Sequence, residues 1–146
     1  MTTVRPYRPP DLDRVVGLWH ACGLTRPWND PAGDIARCLA SREAALLVGC
    51  DGAADGPVVA TVMVGQDGHR GWLYYLAVAP ERRRVGLGRR MVAEAEAWLA
   101  ARGVPQVMLM VREDNASVVA FYRRQGYGVE PRTILSRWLE GGGPGS

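Results

Sequence analysis

The sequence predicts an α/β (α+β) domain built on a mixed, mostly antiparallel sheet of six to seven strands flanked by about four helices. Three observations lead there. Apolar runs of strand length lie close together between residues 44 and 78, joined by short turns rich in Gly and Asp, which favours antiparallel pairing. The last of these runs passes through Pro80 and an arginine-glycine loop into a long amphipathic helix and a further apolar run, the order of a βαβ unit. The length of 146 residues, with 47% hydrophobic and 23% charged residues, fits one globular domain, placed at residues 1–140 with a disordered Gly-rich tail at 141–146.

Taken in order, Thr3 to Tyr7 reads as a short strand, and Asp11 is positioned to cap a helix whose apolar residues Leu12, Val15, Val16 and Trp19 follow helical spacing. Gly23 ends that helix. Asp30 and Pro31 read as the cap and first residue of a second helix reaching Ala40, with Ile35, Cys38 and Leu39 facing inward. Strands follow at Ala44–Cys50, Val58–Val64 and Trp72–Val78, linked by DGAADGP and QDGHRG. From Gly86 to Arg102 the apolar residues recur at three and four, and Gly103 stops the helix. Val107–Val111 has the look of a strand buried on both faces. A helix at Ser117–Gln125 and two last strands, Tyr127–Glu130 and Ile134–Leu139, complete the pattern.

The charge narrows the function. All 18 basic residues are Arg, and without Lys neither a P-loop lysine nor Schiff-base chemistry is available. The net charge of +3 permits nucleic-acid binding without demanding it. No run approaches the roughly 18 apolar residues of a membrane helix, and the N-terminus lacks a signal-peptide core, so a cytoplasmic location without membrane partners is expected. Cys22, Cys38 and Cys50 match no disulfide or metal spacing, and no metal is expected, even with His20 nearby.

The stretch LYYLAVAPERRRVGLGRR, Leu73 to Arg90, carries the most chemistry. It is laid out as a diphosphate cradle: unpaired N–H groups at a helix start, Gly86 and Gly88 for close approach, and Arg82, Arg83, Arg84, Arg89 and Arg90 for charge. A dinucleotide site is disfavoured because Met91 stands where a third glycine would be needed.

Arg83-Arg84-Val85-Gly86-Leu87-Gly88 resembles the (Gln/Arg)-x-x-Gly-x-(Gly/Ala) motif of the GCN5-related N-acetyltransferases, the GNAT family. Asn115, Ser117 and Phe121-Tyr122-Arg123-Arg124-Gln125-Gly126-Tyr127 are similar to its later segments. The resemblance covers residues 3 to 139, and RPWNDP at Arg26–Pro31 is similar to the YpeA-type subgroup. It implies strands splayed at an acetyl-CoA cleft and direct transfer of acetyl to a primary amine, on a small molecule or a peptide N-terminus. The N–H groups from Arg84 to Arg89 would hold the diphosphate, with Arg83, Arg84 and Arg89 as charged donors. The pantetheine arm would run along Leu76, Ala77 and Val78, with Asn115 and Ser117 beside it, and the Val78 N–H would polarise the thioester. Tyr122 is implied as the acid for the departing thiolate.

A base for the incoming amine is harder to find. The branch acting on ribosomal-protein N-termini carries Glu where this chain has Met110, which cannot accept a proton. Glu113, Tyr74, Tyr75, His69 and Asp30 are the substitutes, and an α-amine with pKa about 7.7 to 8.0 needs little help. The acceptor surface is expected around Trp28, Asn29, Tyr74 and Tyr75. Two other readings stay open: a CoA-binding regulatory module without catalysis, suggested by Met110, and, as the minor one, an arginine-rich nucleic-acid binder. Pairing into a homodimer also stays open.

Overall fold

The computed structural model describes residues 1–141; the tail expected at 141–146 therefore lies outside the described residues from position 142 onward. The described elements are β1 (Thr2–Pro6), α1 (Leu12–Ala21), α2 (Pro31–Ala40), β2 (Ala44–Asp51), β3 (Val58–Gln66), β4 (Gly71–Val78), α3 (Leu87–Ala100), β5 (Val107–Met108) and α4 (Ala116–Arg123). Single 3₁₀ turns at Pro9–Asp11 and Pro80–Arg82 lead into α1 and the arginine loop. Two compact units result: Met1–Arg26 with Asp30–Leu109, and Pro27–Asn29 with the chain from Met110 onward.

The first unit holds the sheet, in the order β1-β2-β3-β4-β5, antiparallel except for the parallel β4–β5 pair. Central β3 is buried almost throughout, at Val58, Val59, Ala60, Thr61, Val62 and Val64, because it is covered on both faces. Helix α3 packs on β3 and β4, α1 on the same two strands, and α2 on β2. The inward stripe of α3 is Leu87, Met91, Val92, Ala95 and Leu99, the helical repeat expected of an amphipathic element. Gly71 lets that helix come close: a Cβ there would sit 2.6 Å from Leu99 Cδ1.

Helix α2 starts as its sequence dictates. The Asp30 carboxylate accepts the Gly33 N–H at 3.0 Å and Pro31 opens the first turn. Leu39, however, is 51% exposed, so only Ile35 and Cys38 face inward; a ten-residue helix on one strand covers a narrower stripe than the sequence suggested. Asp11 does not cap α1 either. Its carboxylate takes both guanidinium nitrogens of Arg5 at 2.8 and 3.0 Å and the Arg8 N–H at 2.8 Å, a stronger set of partners than a helix start offers. These bonds hold the Asp11 carboxyl below its usual range, the hydrogen bond from Arg5 contributing most.

Two further corrections concern strands. The run Val107–Val111 pairs only at Gly71↔Val107 and Trp72↔Met108, and Met110 is half-exposed. Its neighbour β4 bulges at Tyr75–Leu76, and such a bulge turns a strand edge away from its partner. Tyr127–Glu130 and Ile134–Leu139 form no strands, leaving five in the described residues. Pro131 removes a ladder donor, and consecutive Ile134 and Leu135 are 65% and 90% exposed, so the segment has no buried face to fix a register. No described helix is long and apolar enough to cross a membrane.

Candidate active site

The arginine loop forms a cradle through its backbone. Arg84 and Gly86 both take positive φ, 67° and 81°, and α3 begins at Leu87. Among the described residues, none of the N–H groups from Arg84 to Arg89 has a hydrogen-bond acceptor; the first one satisfied is Arg90, by the Gly86 carbonyl at 3.0 Å. Orphan donors at a helix start, next to left-handed residues, are the backbone arrangement that can receive an anion. A Cβ at Gly86 would meet no protein atom within 4 Å, so glycine serves the backbone conformation and leaves open space in front of it.

The charge around the cradle is unevenly committed. Arg82 pairs with Asp51, and Arg90 contacts Glu94 at 3.3 Å and the Thr2 carbonyl at 3.2 Å. Among the described residues Arg84 and Arg89 have no ion pair or hydrogen bond. Arg83 makes only long contacts, its Nε to the Val78 carbonyl at 3.4 Å and its Nη2 to Cys22 Sγ at 3.6 Å.

Strand β4 leads straight into this loop with one edge open. Past Trp72 no described strand pairs with the side of β4 that faces β5, while the other side stays in register with β3 as far as Val78. The Ala79 N–H donates to Val59 on β3 at 2.8 Å. By the alternation of an antiparallel ladder, the N–H and C=O of Val78 then point to the open edge. Cys22 Sγ also donates to that carbonyl, at 3.4 Å.

A buried chain of hydrogen bonds fixes the bulge. Trp19 Nε1 donates to Thr61 Oγ1 at 2.9 Å, and that hydroxyl donates to the Tyr75 carbonyl at 2.8 Å. The register moves from Thr61↔Ala77 to Met63↔Tyr74, so Val62 faces two residues of β4. Tyr75 accommodates the extra residue at φ 52°, and its ring stacks on Trp19 with centroids 3.7 Å apart. Strict alternation would send Tyr75 to the opposite face from Trp72 and Tyr74. The bulge instead puts all three in the wall of one cavity of about 480 Å³.

Asp34, Glu43 and Asp67 line the same cavity. Tyr75 Oη donates to Asp34 Oδ2 at 2.6 Å, and Asp34 also pairs with Arg37. Burial, and then the bond to Asp34, push the Tyr75 phenol well up, so it is a hydrogen donor at neutral pH. Glu43 accepts from Gln66 Nε2. Asp67 accepts the N–H groups of His69 and Arg70 and Trp72 Nε1 at 2.7–3.0 Å, which hold its carboxyl down at about 2. Asp34 was not legible as a site residue. In sequence it is one acid in a helix first turn, and only the β4 bulge brings Tyr75 to it.

The second unit carries Trp28, Asn29, Glu113, Asn115, Ser117 and Tyr122. Asn115 caps α4, its Oδ1 accepting the Val118 N–H at 3.3 Å and the Ser117 hydroxyl at 3.2 Å. Tyr122 is 8% exposed and packs edge-on to Phe121 and Tyr127 at 5.0 and 5.4 Å. Burial pushes its phenol up to about 12. Trp28 is 45% exposed in the α1–α2 connection. Of the substitute bases, the Asp30 carboxylate is spent on the α2 cap, and His69 and Glu113 lie on the surface.

The geometry matches a known family. The sequence profile of the acetyltransferase (GNAT) family matches residues 13–127, so the chain belongs to that family and is an acyltransferase. It is 43% identical to an acetyltransferase of Pectobacterium atrosepticum over 138 residues, 94% of this chain and 96% of that protein. An acetyltransferase of Yersinia pestis is 39% identical over 93% of this chain and 94% of its own length. Among solved structures, the complex of AAC(6')-Iy with the bisubstrate analog CoA-S-monomethyl-acetylneamine superposes with a TM-score of 0.78. Its sequence identity is 16%, covering 94% of this chain and 98% of that one. Glucosamine-6-phosphate N-acetyltransferase of Arabidopsis thaliana gives 0.73 at 16%, covering 96% and 99%. At such identities the structures establish the shared fold.

Proposed function

We propose that this chain uses acetyl-CoA to acetylate a primary amine by direct transfer. The observation that carries this reading is the run of N–H groups from Arg84 to Arg89, without acceptors and beside uncommitted Arg84 and Arg89, at the end of the open-edged strand β4. Such a run suits a diphosphate, and an open strand edge suits a polyamide arm that adds to the sheet as an extra strand. The donor set fits the co-substrate: backbone N–H groups and guanidinium groups for phosphate, and Leu76, Ala77 and Val78 for pantetheine.

A bound thioester supplies an activated acetyl carbon. The Val78 N–H, turned to the open edge, stabilises the charge that develops on the carbonyl oxygen. The amine nitrogen bonds to that carbon as the C–S bond breaks and the amine gives its proton to solvent; the role of proton donor to the departing sulfur is the one the family resemblance gives Tyr122. A buried phenol titrating at about 12 stays protonated throughout the working range, as a general acid must. The family resemblance gives Asn115 and Ser117 a place beside pantetheine; within α4 the Asn115 oxygen makes the capping bond, and its amide nitrogen does not take part in it. Acceptor contacts in the first unit are assigned to Tyr74 and Tyr75; Trp28 and Asn29 keep the acceptor role expected from the sequence.

The test is release of free thiol from acetyl-CoA across a panel of amines, with Tyr122→Phe as control. Amine-dependent release that falls in the variant supports the reading. Binding of acetyl-CoA without release from any amine would leave the regulatory-module reading in its place.

A further inference from the structure

We infer that Arg83 selects the co-substrate: it covers the open edge of β4 at Val78 until a diphosphate draws it away, so that a thioester carrying a nucleotide is admitted and one that ends at pantetheine is disfavoured. The inference rests on the acetyl-transfer reading above and gives Arg83 a part beyond that of a charged donor in the cradle.

The contacts come first. No described strand covers the outer edge of β4 at Val78, but two side chains do. Arg83 Nε donates to the Val78 carbonyl at 3.4 Å, and the Cys22 thiol donates to the same oxygen at 3.4 Å. Arg83 Nη2 in turn lies 3.6 Å from Cys22 Sγ, so carbonyl, thiol and guanidinium form one small cluster. Both lone pairs of that carbonyl thus have a donor, and an amide N–H of an arriving polyamide arm must displace one of them.

The backbone explains how Arg83 comes to lie there. The turn at Pro80–Arg82 is closed by the Arg82 N–H on the Ala79 carbonyl at 2.8 Å. It leaves Arg83, extended at φ −73° and ψ 156°, beside the strand end that precedes it by five residues. Cys22 is the first residue beyond α1, so the end of that helix sets the thiol.

The strengths of the bonds decide which partner wins. Both bonds to the Val78 carbonyl are long, one comes from a weak thiol donor, and the exposed Arg83 pairs with no carboxylate among the described residues. Paired, charge-assisted bonds from a guanidinium to phosphate oxygens are stronger than one long bond to a neutral carbonyl. Arg84, the next residue, opens the run of N–H groups without acceptors, so a diphosphate seated on that run has Arg83 as its neighbour in the chain. The other arginines of the loop cannot make this exchange. Arg82 and Arg90 are held by Asp51 and Glu94, and Arg84 and Arg89 have no bond to release. Diphosphate binding and pairing along the Val78 edge are therefore coupled, and by linkage each favours the other.

The experiment titrates three probes into the full chain by calorimetry. These are acetyl-CoA, S-acetyl-pantetheine, which has the arm without the diphosphate, and ADP, which has the diphosphate without the arm. In Arg83→Ala the affinity for S-acetyl-pantetheine is expected to rise roughly three- to tenfold, the effect of removing one hydrogen-bonded competitor, while that for acetyl-CoA does not rise. Because S-acetyl-pantetheine is neutral, loss of a positive charge by itself leaves its binding unchanged. Saturating ADP should raise the parent protein's affinity for S-acetyl-pantetheine by a similar factor and have no such effect in Arg83→Ala. Cys22→Ala, which removes the second donor on the carbonyl, should shift S-acetyl-pantetheine in the same direction. Arg84→Ala removes charge but leaves the edge covered, so it should weaken acetyl-CoA alone. The inference is overturned if Arg83→Ala binds S-acetyl-pantetheine no better than the parent or not at all, if ADP leaves the parent unchanged, or if Arg84→Ala gains as much as Arg83→Ala. In each of those cases saturable acetyl-CoA binding keeps the acetyl-transfer reading. Failure of acetyl-CoA to bind the parent protein would overturn both.

Discussion

The Tyr75 hydroxyl donates to Asp34 at 2.6 Å, joining a left-handed residue of the β4 bulge to the first turn of α2. The bond closes one wall of the acidic cavity and makes Tyr75 a donor rather than a base. In Tyr75→Phe the loss of one part-buried hydrogen bond to a charged group is expected to cost about 1.5–3 kcal/mol. Acceptor KM should rise while acetyl-CoA affinity holds, as read by denaturant unfolding and steady-state kinetics.

The bulge itself depends on Thr61. Thr61→Val keeps the volume but leaves Trp19 Nε1 and the Tyr75 carbonyl unpartnered at a fully buried position. Unfolding should show a loss of about 2–4 kcal/mol, and kcat should fall with it as Tyr75 and Leu76 shift. A Thr61→Ser variant, which restores both bonds, should recover most of the activity.

Gly86→Val tests the cradle. At φ 81° a β-branched residue is strained, so this variant is expected to lose about 1–3 kcal/mol of stability in addition to its acetyl-CoA affinity. Gly86→Ala carries less bulk in the same conformation. A folded Gly86→Ala protein with weakened acetyl-CoA binding in calorimetry is the cleaner expected outcome.

Tyr122→Phe should lower kcat about 10²- to 10⁴-fold without weakening acetyl-CoA binding by more than a few-fold. The pH profile gives a second reading. The active form is the neutral phenol, and with its titration pushed up to about 12 no alkaline fall of kcat from this group is expected below about pH 11. A descending limb near pH 9 or 10 that vanishes in Tyr122→Phe would contradict that environment.

Acid stability reports on Arg5 and Asp11. The Asp11 carboxyl is held below its unfolded value, so its contribution is complete above about pH 4 and is lost as pH falls through the folded value. Asp11→Asn should therefore be destabilised at pH 7, by about 1–3 kcal/mol, with the gap to the parent protein narrowing on acidification below pH 4. Thermal unfolding across pH 2.5–7 measures it.

Much of this was legible locally. Asp30-Pro31 sets the start of α2, the three-and-four repeat sets α3, and Gly86 sets the left-handed turn before α3, because caps, periodicity and glycine conformations depend on near neighbours. What failed was non-local. Ile134–Leu139 has strand-like residues, yet a strand exists only when another chain segment offers it a ladder. Asp11 looked like a cap until Arg5, brought close by β1, outcompeted the helix N–H groups. The link between Tyr75 and Asp34 spans 41 residues and depends on one extra residue in β4, which no spacing rule announces.

The most direct measurement is a calorimetric titration of acetyl-CoA into the full chain and into Arg84→Ala/Arg89→Ala. Saturable one-to-one binding, weakened at least tenfold in the double variant, is the predicted result. No binding to the parent protein, or equal binding by both, would contradict an acetyl-CoA cradle at Arg84–Arg89.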